Sequence, residues 1–203
     1  MLDELEWIWY GVDYFTRMRS VAHTFMTFEF AGEQDKSFLT ISVEIRREED
    51  ESFGLLPGVY RQFELMYVVS EERDMIENRL ATSEDRFFLY PIRSNAESRS
   101  ALFADMIARM NRLHTEPEFY NTITSNCTNN IAWHLNRVSE KRVNPYSLKI
   151  IFPGYSDRVA FDLDLIDTDL SFEQARESFR IDVRGRALIG SENFSADIRR
   201  PSR

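Results

Sequence analysis

The segment from Ala22 to Ile45 reads AHTFMTFEF, then AGEQDKS, then FLTISVEI. In the first part His23, Phe25, Thr27 and Glu29 alternate with Thr24, Met26, Phe28 and Phe30. In the last, Leu39, Ile41, Val43 and Ile45 alternate with Phe38, Thr40, Ser42 and Glu44. A two-residue period is that of a β-strand, and a polar loop between two such strands makes an antiparallel hairpin. A slip of one residue would turn the apolar row of one strand toward the polar row of the other, so the register is constrained. The pairing that keeps the rows together sets Met26 against Ile41 and Phe28 against Leu39, with Phe25 against Ser42 and His23 against Glu44 on the other side. Facing residues have Cβ atoms about 4.5 to 5.5 Å apart, which makes His23 and Glu44 candidate partners.

Downstream, an acidic loop from Glu48 to Gly58 is closed by LLPG, and Tyr60 to Val69 reads as a third strand. A short helix is expected to open at SEER, with Ser70 as its cap, and to run through Leu80. Arg86 to Ile92 reads as a fourth strand. From Ala96 to Leu113 the apolar residues Leu102, Phe103, Met106, Ile107, Met110 and Leu113 follow the spacing of an amphipathic helix. After Pro117 the polar run FYNTITSN leads into a helix from Cys127 to about Val138, with Ser125 and Asn126 as N-cap candidates. Beyond Pro145 the elements LKIIF and VAFDLDLI are short, and SFEQARESFRI is a last weak helix. No repeat or linker divides the chain, so the expected organisation is one domain over residues 1–183 and a basic irregular tail over 184–203.

The chain of 203 residues is long enough to bury a core without staples, and its one cysteine forms no internal disulfide. A net charge of −9 repels a phosphate backbone, and no basic patch offsets it, which excludes general nucleic-acid binding. No run of about 18 apolar residues occurs, and the start MLDELEWIWYGVDYF lacks a basic leader region, so a soluble chain is expected.

Chemistry gathers at Cys127. A sulfur at the first turn of a helix meets free backbone N–H groups and the positive end of the dipole, which favour a thiolate and can hold an oxyanion. Cys127, Ile131, Leu135 and Val138 share one stripe, so the sulfur faces what the helix packs on; a small buried hydrophobe is the alternative reading. A nucleophilic cysteine needs a base and the base an orienting group. His134 lies seven residues along the same helix, about 10 Å away, and reads as structural. His114 reads as a cation near a helix C-terminus. That leaves His23, with Glu44 as a potential orienter; a polar pair on a half-solvated sheet face is the alternative reading. Paired zinc-ligand spacing, a Gly-rich phosphate loop and a GxSxG elbow are all missing, and EIRREEDE reads as a solvated loop. No metal and no organic cofactor is expected.

A strand histidine, an acid on the next strand and, much later, Asn-Cys at a helix start resemble the order of parts in circularly permuted papain-like thiol enzymes of the lecithin:retinol acyltransferase and NlpC types. More specifically, AHTFMTFEF, ISVEIRRE, YRQFELMYVVSEERD, FLYPI, FYNTITSNCTNNI and LIDTDLSFEQARESFRI resemble the bacterial family named for the Lnb N-terminal periplasmic domain. The resemblance implies an α+β, permuted papain-like fold, an antiparallel sheet packed on the helix that starts at the cysteine. It also implies Cys127 as nucleophile, His23 as base and Glu44 as third member, with Ser42, Arg46, Tyr120, Asn121 and Asn126 near the site. The activity so implied is acyl transfer through a Cys thioester, with N-acylation of lipoproteins from a phospholipid donor as its specific form. The alternatives are a cysteine peptidase or amidase of the cell envelope, or a noncatalytic envelope binding module. Expected partners are a lipid, acylated or peptide substrate and, through segments outside this chain, a membrane surface. The expected location is the periplasm, tethered to the inner membrane in the full-length protein.

Overall fold

Strand β2 (Ala22–Phe30) pairs antiparallel with β3 (Ser37–Arg46) in the register expected, Phe25 opposite Ser42, Met26 opposite Ile41 and Phe28 opposite Leu39. The computed structural model describes residues 4–15, 20–32, 35–46 and 63–200. The expected acidic loop from Glu48 to Gly58, and the start of the expected third strand at Tyr60, lie outside the described residues. The hairpin sits within a five-stranded antiparallel sheet of order β4-β3-β2-β1-β5, in which β1 is Leu5–Tyr14, β4 is Glu64–Glu71 and β5 is Arg86–Pro91. The class is α+β. Ser70 is not a helix cap, because β4 continues past it and pairs it with Thr40. Helix α1 (Glu72–Thr82) starts after Glu71 without a side-chain cap.

Strand β1 is a part the sequence reading did not foresee, and it lies between β2 and β5. Its Ile8, Tyr10, Val12 and Tyr14 join Met26, Phe28, Ile41 and Val43 in the larger core cluster. Helices α2 (Ala96–Thr115) and α3 (Cys127–Val138) contribute Leu102, Met106, Cys127, Ile131 and Ala132 to that cluster. His134 ties both helices to the sheet, its Nδ1 lying 2.7 Å from Asp105 of α2 and its Nε2 2.7 Å from the Tyr67 hydroxyl of β4. The short helices α4 (Leu148–Ile151) and α5 (Ser156–Asp162) flank a 3-10 turn at Pro153–Tyr155. Buried Asp157 of α5 accepts hydrogen bonds from Tyr14 and Tyr90 at 2.8 and 3.1 Å and from Arg176 of α6 (Phe172–Ser178).

The opposite face of the sheet carries Phe25, Phe87 and Leu89, and it is covered by Ile76 and Leu80 of α1 together with Ile181, Phe194 and Ile198. Gly11 belongs to this face, and a Cβ there would stand 2.1 Å from the Phe25 ring, so the strand takes no side chain at that point. Residues 184–200 are therefore not an irregular tail. They complete α7 (Asp182–Ala187) and form α8 (Phe194–Asp197), held by burial of Phe194 and by a two-pronged ion pair from Arg199 to fully buried Glu72 at 2.7 and 2.8 Å. Among the described residues no helix is long and apolar enough to cross a membrane.

Candidate functional site

The sequence TSNCTNN forms an interlocked helix start. The Asn126 side chain caps α3 by accepting from Asn129 N–H at 2.8 Å, and the Asn129 side chain accepts from Asn126 N–H at 2.9 Å. The Asn126 amide donates to the carbonyls of Thr122 and Ile151 at 2.9 and 3.3 Å, while Asn129 donates to that of Pro145. Cys127 is thus fixed as the first helical residue, where its own N–H and that of Thr128 have no partner within the helix. Cys127 is buried, its sulfur 3.8 Å from the Thr128 hydroxyl, and Thr24 on β2 and His23 act on the thiol through hydrogen bonding and, for His23, charge.

His23 is one residue from the start of β2 and lies opposite Asp13 of β1. Its Nε2 is 3.0 Å from Glu44 Oε1 and 2.7 Å from Ser42 Oγ, and the Ser42 hydroxyl donates to Glu44 Oε1 at 2.7 Å. Because that hydroxyl spends its proton on Glu44, it accepts from Nε2–H, which leaves the other ring nitrogen, Nδ1, for the thiol. The ring stacks on Phe25, with centroids 6.4 Å apart. Phe25 faces α1 whereas α3 covers the other face, so the helix does not pack on the face that carries His23. The two meet around the end of the sheet, where Val43 and Ile45 of one face and His23, Glu44 and Arg79 of the other line one cavity of about 660 Å3. Cys127 opens into it, with Phe15, Val21, Tyr120, Ile123, Ile151 and Phe152 as its apolar walls.

Charge in this cluster is arranged to hold an ion pair. Burial acts to lower the His23 pKa, but Glu44 and the thiol outweigh it and raise the group to about 10. Burial acts to raise Cys127, yet the hydrogen bond and charge of His23, with Thr24, bring it down to about 7. Glu44 is opposed by burial too and still falls to about 2 through His23, Ser42 and Arg79. Such a thiolate–imidazolium pair can attack an electrophilic carbon and then return a proton to a leaving group. Among the described residues no three His, Cys, Asp or Glu side chains converge as a metal site would require.

Of the residues singled out from sequence, Cys127, His23, Glu44, Ser42, Tyr120 and Asn126 are brought together. Burial, with the charges of Cys127 and Glu44, pushes the Tyr120 hydroxyl well above its ordinary pKa. Asn126 serves as cap and tether, its amide being committed to two carbonyls. Asn121 is not at the cluster; its side chain accepts from Ile123 and Thr124 N–H at 2.9 Å each and shapes the approach loop. Arg46 shares the Glu44 face of β3 but stands two residues further along, at the exposed end of the strand, where it pairs with Glu64 at 3.2 Å. Three neighbours escaped the sequence reading: Thr24, Asp13 and Arg79. Asp13 is fully buried and bonded to Arg79 at 2.8 Å, and the polar interruption in YGVDYF was its signal.

Fold and cluster together define an α+β domain with a buried cysteine and histidine and a half-buried carboxylate at the mouth of a largely apolar cavity. A family model described as the Lnb N-terminal periplasmic domain matches residues 1–154, and the chain belongs to that family. The matched stretch contains every member of the cluster and ends before α5. By its description the family's domain is periplasmic. Neither a curated protein nor a solved structure matches the chain.

Proposed function

We propose that this protein is a thiol-dependent acyltransferase of circularly permuted papain-like design, acting through a thioester on Cys127. The coupling of Cys127 to His23 and of His23 to Glu44, at the mouth of an apolar cavity, carries the reading. The thiolate attacks the carbonyl carbon of an ester, and the N–H groups of Cys127 and Thr128 receive the developing oxyanion. Collapse expels the alkoxide, which takes the proton held by His23, leaving an acyl group on sulfur. An amine then attacks the thioester, gives its proton to His23 and releases the thiolate.

Walls of Phe, Val, Ile and Tyr suit an acyl chain better than a peptide backbone, which would ask for paired hydrogen-bond partners. We take a phospholipid as donor and the amino terminus of a lipoprotein as acceptor, with the full-length protein tethered to the inner membrane. Incubation with phospholipid vesicles followed by intact-mass measurement tests this. One acyl mass should appear on the parent, none on Cys127→Ala, and far less on His23→Ala. An adduct from a muropeptide donor but not from lipid would turn the reading to an envelope amidase. A thiol that stays inert to small alkylating reagents would turn it to a binding module.

A further inference from the structure

Across strands β1, β2 and β3 one row reads Asp13, His23, Glu44, and Arg79 of α1 arches over it. Its Nη1 is 2.8 Å from Asp13 Oδ2, and its Nη2 is 3.8 Å from Glu44 Oε1. That Glu44 oxygen is the one already engaged by His23 Nε2 at 3.0 Å and by the Ser42 hydroxyl at 2.7 Å. A guanidinium with two carboxylates in reach binds the one that gives it the better geometry, and here that is Asp13. We propose that Asp13 is a positioning residue that holds Arg79 outside hydrogen-bond distance of Glu44, at 3.8 Å, so that Glu44 gives its hydrogen-bonding oxygen to His23 as counter-charge. The inference rests on the reading of His23 as the base for Cys127.

Several observations point the same way. Asp13 is fully buried, and its Oδ1 has no hydrogen-bond partner among the described residues, a cost that a merely structural position would have shed. The Arg79 side chain is 30% exposed and long, so a swing of about 1 Å onto Glu44 meets little resistance once Asp13 loses its charge. Other charged or titratable groups facing this row are Asp85, which acts on Asp13, together with Tyr120 and Cys127 beyond His23. Burial foremost, and Asp85 with it, push the Asp13 carboxyl up to about 6 against the pull of Arg79 and His23.

The experiment is the pH dependence of iodoacetamide alkylation of Cys127 in the parent, in Asp13→Asn, and in Asp13→Asn combined with Arg79→Gln. Freed of Asp13, Arg79 takes Glu44, His23 loses counter-charge, and the profile of Asp13→Asn moves alkaline by about one unit. With Arg79 also removed the competition is gone, and the double variant returns toward the parent. A single variant that overlays the parent, or a double that stays alkaline, overturns the proposal. Should Asp13→Asn fail to fold, the parent decides: its rate should fall below pH 6 more steeply than one titrating group allows, and a single-group slope overturns the proposal. A parent profile of an ordinary thiol, near pH 8.5, would instead remove the base reading itself and this inference with it.

Discussion

At the scale of single residues, the ion pair between His23 and Glu44 makes the protein's stability depend on pH in a defined direction. Glu44 has a depressed pKa, so its contribution is present above its unfolded value of about 4.3 and is lost as pH falls through about 2. His23 has a raised pKa, so its contribution is complete below about 6.5 and is lost as pH rises through about 10. The melting temperature of Glu44→Gln should therefore lie furthest below that of the parent between about pH 4.5 and 6.5, with the gap narrowing on both sides. A gap that is flat from pH 3 to 9 would contradict the pairing. His23→Ala should shift the alkylation midpoint of Cys127 from about 7 toward that of a free thiol, about 8.5. These residues were legible because hairpin register fixes His23 against Glu44 and cap chemistry fixes Asn126 beside Cys127. Asp13 and Arg79 were not, since their meaning depends on β1, whose place in the sheet was unread. Arg46 entered through resemblance; it shares the Glu44 face but is drawn to Glu64 at the exposed end of β3.

At the scale of elements, the start of α3 is held by reciprocal caps and by tethers to Thr122, Ile151 and Pro145. Asn126→Ala should cost about 1 to 2 kcal/mol of stability and slow alkylation of Cys127, since it loosens the turn that aims the sulfur. A variant with parent-like melting and reactivity would show that the cap is dispensable. Helix α3 was readable, from Cys127 to about Val138, because N-cap preference and apolar stripe agree along CTNNIAWHLNRV, and of the two cap candidates the structure uses Asn126. Strand β1 hid for the converse reason: Trp9 packs on the second cluster and Trp7, though exposed, is apolar too, so the row between Ile8, Tyr10 and Val12 is not polar and the two-residue period is blurred. Ser70 misled as a cap because its partner is across the sheet, at Thr40, and tertiary pairing overrides local preference.

Seen as a whole molecule, the sheet has two covered faces, and the second cover comes largely from residues beyond the matched family region. Arg199 joins the end of that cover to the start of α1 by gripping Glu72, with its guanidinium over the rings of Trp9 and Phe38 at 4.5 and 4.3 Å. Arg199→Met leaves a fully buried carboxylate without its main partner and should destabilise the fold by about 3 to 5 kcal/mol. Deleting residues 182–203 should do more, exposing Phe25 and Phe87 and producing dye-binding, aggregation-prone protein; a truncated chain that melts like the parent would refute the role given to this segment. The segment was read as a tail because α7 and α8, of six and four residues, are too short to show a helical period.

The order of parts along the chain has a temporal meaning. All five strands, with the base, its carboxylate and the row that flanks them, precede Cys127. A chain delivered from its amino end presents the complete sheet before the sulfur emerges, and until α3 docks on Met26 and Ile41 that sulfur is an ordinary thiol of pKa about 8.5. Chemical reactivity then arrives as the closing event of folding, so the rate at which newly released protein acquires fast alkylation below neutral pH is a clock for the docking of one helix.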